Sequence, residues 1–377
     1  MLPPLVDTLE LGPASWESPP PMLRRLLTAL AVVVLLVGGW FLWLMNAAGE
    51  FRTLRPHFEG SCTAVPVVGA EDLTIHPRTG IAYVSSCDRW ALFAGKPPHG
   101  AIYAYDLNAA SPRPVNLTRD ASPTFSPHGV SLYVAPDGAS TLFVINHERG
   151  RHTIEVYDVD QSRLTHRTTL SDPMLVSPND LVAVSPTQIY VTNDHHYPSG
   201  TMRTIEDYLR RPWANVVMWD GHGFREVASG IRLANGINQS SDGKTVYVVA
   251  TIGQAVRVYD RDTATSNLTF RREIPLESGG DNVEVDADGT LWIGAHPQLL
   301  TLVRYMGGGR PYAPSQILHV IPSGGGAEVK EVYLDRGEQI SGASVGAVRG
   351  TRLLIGAIAD SKLLDCQMAA RIVPKRP

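Results

Sequence analysis

Polar pairs recur along the chain at the start of short apolar runs: Glu71-Asp72, His128-Gly129, Asn179-Asp180, Asn235-Gly236 and Asp281-Asn282. Four of the five supply carboxylates or side-chain amides, and no Cys or His cluster at zinc spacing accompanies them. Such an all-oxygen set suits calcium, which takes roughly six to eight oxygens from carboxylates, amides and backbone carbonyls; magnesium wants fewer protein ligands and stricter geometry. Carboxylates gathered without a basic partner repel in a low-dielectric interior unless a cation neutralises them. Taken singly, each pair has a plainer reading as a turn or strand start. Recurrence at one phase of a repeat is what favours convergence.

Two histidines, His128 in FSPHGV and His147 in VINHER, belong to one copy of that repeat, at the ends of adjacent runs. Paired imidazoles there could let one take a proton from water while the other holds or relays it; the plainer reading is structural. Two rival motifs fail on context. Gly342-Ala-Ser344-Val-Gly346 matches the nucleophile elbow, but a strand-like run follows it and no His occurs after His319. His147 to His152, HERGRH, resembles a zinc-protease helix, but its histidines are five apart instead of four and Gly150 disfavours the helix.

The elements that must position these residues are repeated. Six copies begin at Glu71, His128, Asn179, Asn235, Asp281 and Ala343, 46 to 62 residues apart. Each has a small or polar pair, a short alternating run, a turn rich in Pro, Asp or Gly, and a second run such as Val246-Tyr247-Val248. Alternation around Asp-Gly at 137-138, 242-243 and 288-289 is hairpin grammar. The spacing leaves room for two more strands per copy, and four strands at a period near 50 is what a β-propeller needs. The expected fold is all-β: a six-bladed β-propeller with four-stranded blades, preceded by an N-terminal transmembrane helix. The first strand of each blade lines the channel, so the polar pairs would converge at one end of the axis. A solenoid could use the same pattern, but a ring needs its ends fastened. No long amphipathic helix is evident, and Thr204 to Arg211 reads as a short helix on a loop.

With 377 residues and 44% hydrophobic content the chain can bury a large core. Lys and Arg number 33 against 37 Asp and Glu, with no basic stripe, which sets nucleic-acid binding aside. Leu26 to Met45 is an uninterrupted run whose only polar member is Thr28, long enough to cross a bilayer. Arg24 and Arg25 precede it, favouring a cytoplasmic N-terminus and a type II signal anchor; the competing readings are a signal peptide cleaved near Ala47-Ala48-Gly49 and a buried soluble helix. The expected organisation is a disordered cytoplasmic tail over 1–23, the anchor over 24–46, a linker over 47–61 and the propeller over 62–377. Translocation places the propeller in an oxidising compartment, in the lumen or outside the cell, secreted if the anchor is cleaved. There a Cys62–Cys366 bridge would tie the termini together, worth roughly 4 to 5 kcal/mol in chain entropy. Cys87 reads as a small buried thiol. Asn116, Asn238 and Asn267 match the glycosylation pattern.

The stretches EDLTI, FSPHGVS, VINH, NDLVAVSPTQIYVTNDHHY, ANGINQSSDGKTVYV, DNVEVDADGTLWIGAHP and the closing LLIGAI and LLDC together make the region from Cys62 to Cys366 resemble the paraoxonase/arylesterase family of calcium-dependent lactonases. The resemblance implies a six-bladed propeller with two calcium ions in its channel. Glu71, Asn179, Asn235, Asp281 and Asn282 would hold the catalytic ion; Asp72, Asp180 and the Val130 carbonyl would hold a deeper structural one. His128 and His147 fall on the family's proposed dyad and His296 on a further active-site histidine. The family also joins its first and last cysteines and retains a hydrophobic N-terminal segment. The implied activity is hydrolysis of small-molecule lactones and aryl esters; the alternative is a membrane-tethered, non-catalytic propeller that binds a partner and uses calcium structurally. Three departures stand out: Trp90 near the position of a covering loop tyrosine, Ala295 in place of a cysteine, and a charged loop from Pro198 to Trp213 carrying Arg203, Arg210 and Arg211, which speaks against docking through that surface.

Overall fold

The computed structural model describes residues 20–148, 151–160 and 163–369. The chain divides after Asn46 into two compact units. In the first, Pro21–Ala47 forms one helix of 27 residues with mean hydropathy 2.4 and none of its apolar window buried. Pro21 opens it, where proline's missing N–H is an orphan anyway. At about 1.5 Å per residue it exceeds the roughly 30 Å of a bilayer core. It starts three residues before the expected anchor, so 21–23 is helix, and residues 1–19 of the expected tail lie outside the described residues.

In the second unit the described residues form six antiparallel sheets. Blade 1 opens with the inner strand Ala70–Ile75, and blades 2 to 5 with Pro127–Val134, Pro178–Ser185, Ala234–Gln239 and Gly279–Val285. Each then runs outward through three further strands in chain order. Blade 6 closes the ring: Ala343–Arg349, Arg352–Ala357 and Leu363–Met368 are completed at the rim by Gly60–Val65 from the N-terminal side. Cys62 and Cys366 are direct cross-strand partners there and form a disulfide. The expected linker is partly sheet, because His57–Phe58 pairs with the outer strand of blade 5.

Inner strands neighbour one another in cyclic order, and an apolar cluster seals each pair of blades. Tyr83 and Ile102 meet Leu142 and Val144 between blades 1 and 2, for example, and Leu73 and Val84 meet Val345 and Leu354 between blades 1 and 6. Middle strands are covered on both faces and so read as near-continuous apolar runs, such as Val246–Val249. Outer strands lie at the surface: all of Arg163–Leu170 is exposed or half-buried.

Every inner strand breaks register at its polar or small pair: between Ala70 and Asp72, Pro127 and Val130, Pro178 and Leu181, Ala234 and Ile237, Gly280 and Val283, and Ala343 and Val345. Such bulges re-aim side chains at the rims of closed sheets. They explain why poor strand formers open these strands. Gly129 and Gly236 serve close approach: a Cβ on Gly129 would sit 2.6 Å from Asp180 Cα, and one on Gly236 2.7 Å from Asn282 Cα.

Candidate active site and metal centre

Glu71, Asn179, Asn235, Asp281 and Asn282 are all buried where the inner strands of blades 1, 3, 4 and 5 bulge into the channel. Four of their side-chain oxygens, Glu71 Oε2, Asn179 Oδ1, Asn235 Oδ1 and Asn282 Oδ1, have no hydrogen-bond partner. Buried polar atoms are rarely left this way, and four hard oxygens from four blades suit a divalent cation. Among the described residues no group of three His, Cys, Asp or Glu makes a metal site by itself; three of these five donors are asparagine amides. Asn282 Nδ2 donates to Glu71 Oε1 at 2.9 Å and to the Glu71 carbonyl at 3.1 Å. Asp281 Oδ2 is 2.7 Å from His296 Nε2. His296 therefore orients Asp281, while its own Nδ1 is buried without a partner. Burial pushes the Asp281 carboxyl up even against His296.

One step further along the strands, Asp72 and Asp180 repeat one motif. Asp72 Oδ1 accepts from its neighbour Leu73 N at 2.8 Å and Oδ2 from Val130 N in blade 2 at 2.7 Å. Asp180 does the same with Leu181 N and with Ile237 N in blade 4, both at 2.7 Å. Each carboxylate thus ties its blade to the residue after the next blade's glycine. Burial raises both carboxyls well above their ordinary range; Asp180 and Glu71 add to the effect at Asp72. Both line a cavity of about 180 Å³ that also takes in Glu284. Glu284 was not anticipated from the sequence, where the alternation in VEV reads it as an ordinary outward polar residue. Burial pushes it up to about 8, and its bonds to Thr74 Oγ1 and Asn238 Nδ2 are both 3.3 Å long. Carboxylates held in this state favour a neutralising cation.

His128 and His147 lie side by side, with Nδ1 of His128 2.8 Å from Nε2 of His147. A third imidazole continues the line: His147 Nδ1 is 2.8 Å from His152 Nδ1. His147 and His152 lie on two paired antiparallel strands, not on one helix, and are direct cross-strand partners. The five-residue spacing that disqualified the helix is compatible with that pairing. Burial, then the two flanking imidazoles, push His147 well below its ordinary value, so it is neutral at neutral pH. At the inner end, His128 Nε2 is 3.3 Å from Glu71 Oε1. Burial alone would raise Glu71, but His128 and Arg89 outweigh it and bring the carboxyl down to about 2.

Arg89 is a second residue the sequence did not single out. Its Nη2 is 3.9 Å from Glu71 Oε2 and its Nη1 donates to the Ile358 carbonyl at 2.8 Å. Neighbouring Trp90 donates from Nε1 to Ala359 O at 2.9 Å, which fixes the 89–93 helix to blade 6. Ala295 is fully buried. The helix expected near Thr204 is Gly200–Tyr208. It is clamped by His195, whose Nδ1 is 2.7 Å from Asp194 Oδ1 and Nε2 2.8 Å from Asp207 Oδ1.

Ser344 of the rejected elbow is fully buried and donates from Oγ to the Glu71 carbonyl, a structural bond. Cys87 is buried, with Sγ 3.2 Å from Ser126 Oγ. Of the three glycosylation candidates, Asn267 is exposed and Asn116 half-buried. Asn238 is a poor acceptor: its Nδ2, the atom that would carry a glycan, donates to Val283 O at 3.0 Å and to Glu284 inside the channel.

A family model described as Arylesterase matches residues 65–368. Serum paraoxonase/arylesterase 2 of Gallus gallus is 35% identical over 340 residues, covering 86% of this chain and 93% of its own length. Serum paraoxonase/arylesterase 1 of Homo sapiens is 32% identical over 332 residues, covering 84% and 91%. Two solved structures share the fold at 14% identity: a luciferin-regenerating enzyme, with TM-score 0.51 over 83% of this chain and 95% of that one, and the calcium-binding protein regucalcin of Agrobacterium tumefaciens, with TM-score 0.50 over 84% and 98%. With the family match running from the N-terminal closing strand to the last strand of blade 6, the chain belongs to the arylesterase family.

Proposed function

We propose that this chain is a calcium-dependent hydrolase of aryl esters and lactones. The observation that carries the reading is the set of four buried oxygens without a hydrogen bond, on Glu71, Asn179, Asn235 and Asn282. Those residues with Asp281 would hold the catalytic calcium; Asp72, Asp180 and the Val130 carbonyl would hold a structural one. Bound there, calcium supplies Lewis-acid polarisation of the substrate carbonyl and a counter-charge for the oxyanion.

The chain's own residues handle the proton. For His128 to accept from water at Nε2, its Nδ1 must carry hydrogen and donate to His147 Nε2, and His147 must donate from Nδ1 to His152 Nδ1. Each imidazole can then pass one proton outward as it gains another, ending at half-exposed His152. In the reverse arrangement His128 Nε2–H points at Glu71 Oε1 and the base is blocked.

The Pro21–Ala47 helix fits a signal anchor or a signal peptide. We read it as a type II anchor with a lumenal or extracellular propeller, a reading the Cys62–Cys366 bridge supports. Hydrolysis of phenyl acetate and a γ-lactone panel, measured with calcium and after chelation, tests the function. Activity that disappears with calcium and returns on its addition is expected, and calcium-bound protein that hydrolyses neither class overturns the reading.

A further inference from the structure

A concavity of about 340 Å³ elsewhere in the propeller unit has three exposed arginines in its lining, Arg52, Arg310 and Arg336. Among the described residues none of the lining side chains is acidic, and none of the channel donors takes part. Two of the guanidiniums donate to neutral groups, and the third arginine is held through its backbone. Arg336 Nη2 donates to Leu54 O at 3.0 Å, Arg310 Nη1 to Thr301 Oγ1 at 3.4 Å, and the Arg52 carbonyl accepts from Gln298 Nε2 at 3.3 Å. Glu50 joins the network through Thr301, whose N and Oγ1 donate to its carboxylate at 2.9 and 2.7 Å, and through its own carbonyl, which accepts from Gln298 Nε2 at 3.5 Å. Three arginines and no acidic side chain in the lining give positive charge around a space large enough for a small ligand. The rest of the wall mixes the polar side chains of Thr53, Gln298 and Thr301 with an apolar part formed by Leu54, two prolines and half-exposed Tyr312.

We propose that this cavity binds a phosphate group, with Leu54 and Tyr312 seating the apolar part of the molecule that carries it. Guanidinium forks donate in pairs to oxyanions, and a phosphate offers enough oxygens to engage three of them, where a carboxylate is satisfied by one or two. The same chemistry is presented by a free phosphate ester and by a phospholipid headgroup. The second source is credible because Arg52 follows the last residue of the apolar Pro21–Ala47 helix by five positions in sequence.

The test uses the full-length chain in neutral detergent micelles at fixed ionic strength. It is titrated with inorganic phosphate, glycerol 3-phosphate, dihexanoyl phosphatidate and dihexanoyl phosphatidylcholine, read by phosphorus NMR and by the shift of the thermal midpoint. At least one phosphate probe should bind, on the order of tenfold more weakly for each of Arg52→Gln, Arg310→Gln and Arg336→Gln. Asn235→Ala should leave that affinity unchanged, which separates the cavity from phosphate captured at channel calcium. Preference for a lipid probe over glycerol 3-phosphate would support the site with a headgroup as ligand, and the opposite preference would support it with a free ester. Affinity indifferent to the arginine variants, or lost only in Asn235→Ala, overturns the proposal. Near-ultraviolet circular dichroism of each single variant excludes unfolding as the cause.

Discussion

His152 Nδ1 stands 2.8 Å from His147 Nδ1 across two paired strands, so the channel histidines form a line of three from Glu71 to a half-exposed imidazole. A dyad whose far nitrogen faced only apolar wall would have nowhere to send a proton. His152→Ala is expected to lower kcat for phenyl acetate several-fold with KM nearly unchanged, within the roughly 10²- to 10⁴-fold that a positioned base contributes. Added imidazole should restore part of the loss. An unchanged pH profile and no rescue would leave His152 a packing residue.

The five upper donors set a sharper test of metal dependence. Asn235→Ala or Asp281→Ala should lower kcat/KM by about 10- to 100-fold while the disulfide-closed propeller stays folded, the range typical of disturbing a metal's supporting groups. His128→Gln should cost less if the cation provides most of the stabilisation. Calcium affinity measured directly by calorimetry must fall in the ligand variants; full affinity in both would sink the assignment.

Packing between blades predicts an outcome at a residue with no side chain. Gly236→Ala would drive a Cβ to 2.5 Å from the Asp281 carbonyl and 2.7 Å from Asn282 Cα, both backbone atoms that cannot step aside. Overpacking of this kind costs about 1–3 kcal/mol, and here it displaces two of the proposed ligands. The expected result is a lower thermal midpoint together with weakened calcium binding. A variant with wild-type affinity would show that the bulge is free to shift.

His195 gives stability a pH dependence at the alkaline side. Burial alone would lower it, but Asp194 and Asp207 outweigh burial and raise it from 6.5 to about 9. The protonated clamp therefore contributes fully below about pH 6.5 and is lost as pH rises through 9, a contribution of at most about 3 kcal/mol. Partly exposed Asp207 reduces it by screening. His195→Gln should lower the thermal midpoint at pH 6 and match wild type near pH 10, and an equal difference at both values would contradict the assignment.

The repeat was legible because each blade carries its own alternation and turn residues, and local patterns need no knowledge of the neighbours. The polar pairs were legible for a related reason: Asn179-Asp180 or Asp281-Asn282 ahead of an apolar run violates strand preference, and the structure answers each violation with a bulge. Glu284 was hidden because alternation marks a polar residue without saying whether it faces solvent or a closed channel. Asn238 matched a surface pattern for the same reason. His152 was concealed by a spacing judged against a helix when the two histidines stand on paired strands, and Arg89 by a helix of five residues, too short to announce itself.

By itself, then, the sequence determined the period, the strand count per blade, the apolar N-terminal helix and the chemical type of the donors, because each is written in contiguous residues. Only the tertiary structure decided that Asn282 Nδ2 bonds Glu71 at a separation of 211 residues, that His128 Nε2 faces that same carboxylate, and that four oxygens are left without a hydrogen bond. Those relations depend on ring closure. Until Cys62 and Cys366 meet and the inner strands stand around one axis, no local preference brings the donors within bonding distance or removes the water that would otherwise satisfy them.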